Sequence, residues 1–264
     1  MVPSVMTIAG SDSGGGAGIQ ADLRTFAAHR IHGLCAITAL TAQNTRTVSA
    51  VHVPDVHFLD EQIDACFDDF DIRAVKLGML ASAAVIHAVA DALERHPPIP
   101  LVLDPVMVAT SGACLLDPDA LDAMRQRLLP LASIITPNIP EAELLLGRPL
   151  RDENDALGAA RALVAEGVRG ALVKGGHLDT RGSVVDILAL PGGGIERFEH
   201  ARLDLAAHGT GCTLAAAIAA NLASGLSITA ACAYATDYVH RALLLGYRPG
   251  RSATVVLDHF GAAR

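Results

Sequence analysis

The chain has 264 residues, 51% of them hydrophobic, enough to bury a large core and too apolar for a disordered chain. A net charge of -8, 3% aromatic content and no tryptophan argue against nucleic acid or an anionic membrane as the main partner. The five cysteines show no CxxC or His-paired metal spacing, and no apolar run approaches bilayer length, so a soluble protein with free thiols in a reducing cytoplasm is expected.

The first ten residues lack the basic region and long apolar segment of a signal peptide. Val5 to Ala9 reads as a strand, followed by the loop Gly10-Ser11-Asp12-Ser13-Gly14-Gly15-Gly16-Ala17-Gly18 and a helix from about Ile19 to His29. The loop does not have GxGxxG spacing, and the next strand, around Leu34 to Leu40, ends in Thr41-Ala42-Gln43-Asn44 without the acid that would hold a ribose. No GxxxxGK[ST] occurs either, which excludes a P-loop NTPase. Val48 to Val53 is β-like, a helix runs from about Val56 to Phe67, and Arg73 to Leu77 is a strand ending in Gly78-Met79-Leu80. A helix from about Ser82 to Arg95 is broken by Pro97-Pro98, and strand Leu101 to Leu103 ends on Asp104-Pro105.

A helix is expected from about Pro118 to Leu128, then strand Ser133 to Ile135, Thr136-Pro137-Asn138-Ile139-Pro140-Glu141 and more helix. Asp152 to Glu166 is helical, and strand Ala171 to Val173 ends on Lys174-Gly175-Gly176. Ser183 to Leu190 and Ile195 to Glu199 look like a hairpin, and helices from about Gly211 to Ala223 and Ile228 to Leu245 nearly close the chain. Continuous apolar strands alternating with helices imply an α/β fold, a mostly parallel sheet wrapped by helices, in a single domain over 1–264.

Gln43, Asp104, Asn138 with Glu141, and Lys174 all fall just past predicted strand ends, the edge where open α/β sheets bind ligands. His208-Gly209-Thr210-Gly211-Cys212-Thr213 precedes an Ala-rich apolar helix. Its glycines allow close backbone approach, and the first helical N–H groups with the helix dipole make an anion site. Cys212 would stand at the mouth, where a thiol is expected to lose its proton more easily than in water. A phosphate-binding turn with a poised base suggests phosphoryl transfer; a plain turn before a core helix with a buried cysteine is the other reading.

These segments, with Thr41-Ala42-Gln43-Asn44-Thr45, Lys76-Leu77-Gly78-Met79-Leu80, Asp104-Pro105-Val106-Met107 and Lys174-Gly175-Gly176-His177, resemble the hydroxymethylpyrimidine/phosphomethylpyrimidine kinases of thiamine biosynthesis, in order over nearly the whole chain. The resemblance implies a ribokinase-like three-layer sandwich, an ATP- and Mg2+-dependent kinase and a homodimer. It implies phosphorylation of 4-amino-5-hydroxymethyl-2-methylpyrimidine and then of its monophosphate. It also places the first glycine loop over the acceptor and the phosphates on the Gly-Thr-Gly-Cys turn. Gln43 would bond the pyrimidine edge, Met79 would pack on the ring, and Gly10, Asp12 and Val106 would complete the acceptor pocket. Cys212 would be the base. Lys174 and the amides of Gly209, Gly211 and Cys212 would hold phosphate oxygens, with Asn138 and Thr210 on the nucleotide side. Asp104 and Glu141 would hold Mg2+, through waters.

The chain departs from the family pattern in two places: Ala206-Ala207 replaces a polar pair, and Thr110 stands where a lysine is common. Both bear on how firmly phosphate is held. A pyridoxal kinase of the same branch and a non-catalytic pyrimidine sensor are the rival readings; the joint presence of Cys212, Lys174, Asp104 and Glu141 argues against the sensor.

Overall fold

Apolar side chains facing both ways along short strands force a sheet to be covered on both faces, and the chain supplies helices for each. The computed structural model describes residues 3–107, 119–180 and 182–263; the Thr110 departure lies outside them. The first half runs β1 (Ser4–Asp12), α1 (Gly18–Ala28), β2 (His32–Gln43), β3 (Val48–His52), α2 (Val56–Asp69), β4 (Ile72–Leu77), α3 (Ala83–Arg95) and β5 (Leu101–Leu103). The second runs α4 (Ala120–Ala123), β6 (Ile134–Ile135), α5 (Ile139–Leu146), α6 (Glu153–Ala165), β7 (Ala171–Val173), β8 (Ser183–Ala189), β9 (Ile195–Ala201), β10 (Ala207–His208), α7 (Thr210–Ala223), α8 (Ile228–Leu244) and β11 (Val255–Val256).

Among the described residues β1 to β9 form one sheet in the order β3-β2-β1-β4-β5-β6-β7-β8-β9. The strands from β2 through β7 are parallel, and β3, β8 and β9 add antiparallel edges. Alternation along each strand splits the core. Val102, Ile134 and Leu172 pack with α7 and α8, while their neighbours Leu103, Ile135 and Val173 pack with the α2, α3, α5 and α6 side. Helix α7 is apolar all round, and its alanines from Ala215 to Ala220 are buried, so it lies close against the sheet.

Most predicted elements stand within a few residues of their expected bounds. The helix expected from Pro118 to Leu128 does not run straight, and Pro118 itself lies outside the described residues. One α turn gives way to a π-helical turn over Met124–Leu128 and a 3-10 turn over Leu129–Leu131, where Pro130 has no N–H to continue an α ladder. The β10 and β11 pair went unseen, because two residues each carry no readable periodicity.

Candidate active site

The carboxyl ends of the parallel strands open on a cleft of about 680 Å³. Every residue expected in the site lines it: Gly10, Asp12, Gln43, Met79, Asp104, Val106, Asn138, Glu141, Lys174, Gly209, Thr210, Gly211 and Cys212. Strand continuation explains this convergence. Asp12 and Gln43 are the last residues of β1 and β2, Asp104 follows β5, and Lys174 follows β7. The Lys174 N–H donates to the Pro137 carbonyl at 2.9 Å, tying the loops after β6 and β7 together.

The two glycine segments do different work. Asp12 turns back into its own loop: Oδ1 accepts from the Gly14 N–H at 2.7 Å, and Oδ2 from Gly16 at 3.0 Å and Ala17 at 2.9 Å. Those amides are spent on a side chain and are not offered to phosphate. Burial pushes the Asp12 carboxyl up, but the His208 hydrogen bond and the loop amides outweigh it and hold the group below the usual carboxylate range. The second segment begins α7, and the first-turn amides of Thr210, Gly211 and Cys212 are those a helix leaves without intrahelical partners. Gly209 caps it at φ 85°, and a Cβ there would collide with the Gly16 carbonyl, so the two loops touch backbone to backbone.

Lys174 Nζ lies 3.0 Å from Asp104 Oδ1 and 3.8 Å from Glu141 Oε2, and both carboxylates are buried. Thr136 Oγ1 donates to Asp104 Oδ1 at 3.2 Å. A capping box fixes Glu141: its Oε2 accepts from the Asn138 N–H at 2.7 Å while its own N–H donates to Asn138 Oδ1 at 2.9 Å. Burial raises the Glu141 carboxyl to about 7, with Lys174 opposing and Asp104 adding to the rise. A Cβ on Gly211 would stand 3.1 Å from Lys174 Nζ, so glycine keeps open the space between this cluster and the α7 turn.

The acceptor half is mixed in character. Met79, packed with Ala39 and Val106, forms an apolar wall, and its sulfur sits against Gly10, where a Cβ would come within 3.0 Å. Opposite in character is Gln43, whose Oε1 is 3.0 Å from Thr41 Oγ1 and whose Nε2 is 3.0 Å from His208 Nε2.

Cys212 departs from the expected easily ionised thiol. Burial pushes it up to about 11, Asp22 and Asp104 add to the rise, and Lys76 and a Gly18 backbone contact only partly offset it. Helix N-termini favour thiolates, but this half-buried thiol, with two carboxylates acting on it, keeps its proton near pH 7.

Sequence reasoning missed a buried ion pair beneath the site. Lys76 Nζ lies 2.9 Å from Asp22 Oδ2, which also accepts from Thr7 Oγ1 at 2.7 Å, and neither charged side chain reaches solvent. Lys76 stands in the Lys76-Leu77-Gly78-Met79-Leu80 segment, but nothing in the spacing pairs it with Asp22. Arg202 was also missed: it donates to the carbonyls of Gly176, Leu178 and Thr180 and braces the loop after Lys174.

The chain is similar in sequence and fold to known proteins. A family model described as phosphomethylpyrimidine kinase matches residues 12–256. A hydroxymethylpyrimidine/phosphomethylpyrimidine kinase of Rhizobium meliloti (strain 1021) is 47% identical, covering 92% of this chain and 91% of that one. The solved structure of phosphomethylpyrimidine kinase (thiD) from Clostridium difficile 630 superposes with a TM-score of 0.81 at 42% identity, covering 92% and 100%. Pyridoxal kinase from Staphylococcus aureus, solved with AMP-PCP and pyridoxal, gives 0.91 at 31% identity, covering 100% and 96%. With its ribokinase-like fold, the chain belongs to the phosphomethylpyrimidine kinase family and is an ATP-dependent phosphotransferase of thiamine biosynthesis, acting on hydroxymethylpyrimidine and its monophosphate.

Proposed function

We propose that the cleft takes the pyrimidine between Gln43 and the apolar wall of Met79 and Val106, near Gly10 and Asp12, and the triphosphate along the first turn of α7. The observation that carries this reading is the division of amides: Asp12 consumes those of the β1 loop, so α7 is the anion site beside Lys174. Phosphoryl transfer asks for in-line placement and charge neutralisation more than covalent help. Lys174 and the amides of Thr210, Gly211 and Cys212, reached through the Gly209 turn, supply charge and donors. Asn138 holds the neighbouring helix start. The thiolate form of Cys212, which Lys76 favours against the burial that opposes it, takes the proton of the acceptor hydroxyl.

Asp104 and Glu141 would hold Mg2+. Two buried carboxylates sharing one ammonium suit a hard cation, and among the described residues no cluster of three His, Cys, Asp or Glu is placed to hold a metal. Water and phosphate oxygens would therefore fill most of its shell. When bound, the ion neutralises phosphate charge. Asp104→Asn or Glu141→Gln should raise the Mg2+ requirement of turnover and leave pyrimidine affinity nearly unchanged. Calorimetry showing lost pyrimidine binding with normal Mg2+ dependence would reassign both.

The free thiols Cys35, Cys66, Cys212 and Cys232 support a reducing cytoplasm, and exposed Phe58, Val51 and Val56 around the β3 edge support pairing with a second copy. Mass-spectrometric product analysis with ATP and a panel of ring alcohols tests the reading: mono- and diphosphate of the aminopyrimidine are expected. Pyridoxal belongs in that panel, because the pyridoxal kinase superposes over the whole chain. Turnover of pyridoxal alone would overturn the assignment of the acceptor pocket.

A further inference from the structure

We propose that His208 fixes which end of the Gln43 amide faces the donor of the bound ring and which faces its acceptor, making it a specificity-determining residue for the alcohol. The inference rests on Gln43 recognising the ring edge. His208 Nε2 stands 3.2 Å from Asp12 Oδ2 and 3.0 Å from the Gln43 amide. Its backbone is held in the β10–β11 pair opposite Val256, and its ring edge would lie 2.8 Å from a Cβ on Gly16, so glycine there makes room for it.

Asp12 is an ionised acceptor with no hydrogen to give. A ring nitrogen facing it must carry a hydrogen, so Nε2 is a donor; a lone pair there would oppose the carboxylate. The Gln43 atom beside Nε2 is then the carbonyl oxygen, since an NH2 in that place would set donor against donor. A half-turn of the amide about its terminal bond brings the oxygen to His208 and the nitrogen to Thr41. Thr41 has one hydrogen and a short contact to the Ser11 carbonyl, 3.0 Å away. With the amide so turned, that hydrogen goes to Ser11 and the Thr41 oxygen accepts from Gln43. The one Nε2 hydrogen is then shared between Asp12 and the Gln43 oxygen, both acceptors; in the opposite orientation it would meet the Gln43 NH2, donor against donor, and Thr41 would have to serve two acceptors.

One lone pair of the Gln43 oxygen, on the His208 side, and one amide hydrogen, on the Thr41 side, remain for a ligand. His208 adjoins Gly209 and the anion turn, where the reacting hydroxymethyl must point. The order presented therefore fits a ring carrying an amino group next to the hydroxymethyl carbon and a bare ring nitrogen beyond it. A ring with a carbonyl and an N–H in those places meets two mismatches.

The test compares kcat/KM for 4-amino-5-hydroxymethyl-2-methylpyrimidine and its 4-oxo, N–H analogue in wild type, His208→Phe, His208→Gln and Gln43→Ala. His208→Phe should cut the preference for the amino ring about tenfold or more, through KM for the ring, with the KM for ATP changed less than about twofold. His208→Gln, which can again donate to Asp12, should restore most of it. An unchanged preference in His208→Phe, or a KM for ATP that rises alongside the ring KM, would overturn the proposal and leave His208 as support for the turn. If Gln43→Ala leaves the ring KM unchanged, the recognition reading has failed and this inference with it. If Gln43→Ala weakens the ring and His208→Phe does not alter preference, only this inference fails. Should His208→Phe not fold, nitrogen-15 NMR of the wild-type histidine rings decides: a hydrogen on Nε2 of His208 supports the assignment, and a bare Nε2 overturns it.

Discussion

Cys212 shows how far a residue's chemistry depends on neighbours that its own motif does not contain. The Gly-Thr-Gly-Cys run announces a thiol at a helix start, but Asp22 and Asp104, which with burial raise it to about 11, come from distant segments. Only the small thiolate fraction of such a thiol can act as a base, and it matters only where a proton must be taken. The alcohol acceptor must lose one; the monophosphate acceptor is largely ionised near pH 7 and needs no base. Cys212→Ala should therefore cost about 10²–10⁴-fold in the alcohol step and markedly less in the phosphate step. Because the thiolate fraction grows with pH below about 11, kcat/KM for the alcohol should keep rising from pH 7 to 9 relative to that for the monophosphate. Equal losses in separate assays of the two steps would make Cys212 a shaper of the anion turn. Residue types at strand ends were legible because the ligand edge of an α/β sheet demands polar groups there. The partners of His208 were not: they lie 165 and 196 residues away in sequence.

At the scale of the element, α5 carries two duties through one motif. Asn138 caps the helix and Glu141 closes the box, so the carboxylate that faces Lys174 is held by the same bonds that start the helix. Asn138→Ala should cost about 1 kcal/mol, a fall of about 2–4 °C in melting temperature for a chain of this size. The backbone N–H that holds Glu141 Oε2 survives in alanine, so Glu141 should loosen only as far as the first turn frays, seen as a modestly raised Mg2+ requirement at unchanged pyrimidine KM. A stability loss with unchanged metal dependence would separate the cap from the site. The long elements were readable because caps and apolar period agree, as at Ser82 before α3 and Asp152 before α6. Agreement fails after α4, where Pro130 and tertiary packing turn the ladder into π and 3-10 turns that no period announces.

Across the whole molecule, the two sheet edges differ in character. The β9 edge exposes Glu196, Arg197 and Glu199, charges that discourage strand addition, whereas β3 is Val-Ser-Ala-Val-His with exposed Val51 beside exposed Val53, Val56 and Phe58. A second copy on the β3 side would cover that apolar surface, and Val51→Lys with Phe58→Asp should yield a monomer in light scattering; an unchanged mass would place the interface elsewhere.

The chain's C-terminal segment closes over the other face through His259, whose Nε2 is 3.1 Å from Thr213 Oγ1 in the first turn of α7 and whose carbonyl accepts from Tyr238 Oη at 2.9 Å. Burial pushes the imidazole down to about 4, with Arg24 reinforcing the fall and Asp258 and a Leu257 backbone contact opposing it. An unfolded chain binds that proton near pH 6.5 and the folded one does not until about pH 4, so acid draws the equilibrium toward unfolding across that window. Glu141, raised to about 7, and Asp186, raised by burial to about 6, act with the opposite sign, because the folded state protonates them first. The wild-type stability curve therefore mixes the two, and the contribution of His259 shows only as a difference. His259→Gln should be less stable than wild type at pH 7.5, where a neutral imidazole packs and bonds at no ionisation cost. By pH 4.5 that gap should close or reverse by about 2–3 kcal/mol, read from urea midpoints at each pH. A gap constant across the window would mean that His259 takes up its proton in the folded state as easily as in the unfolded one, and that the C-terminal segment opens to let it.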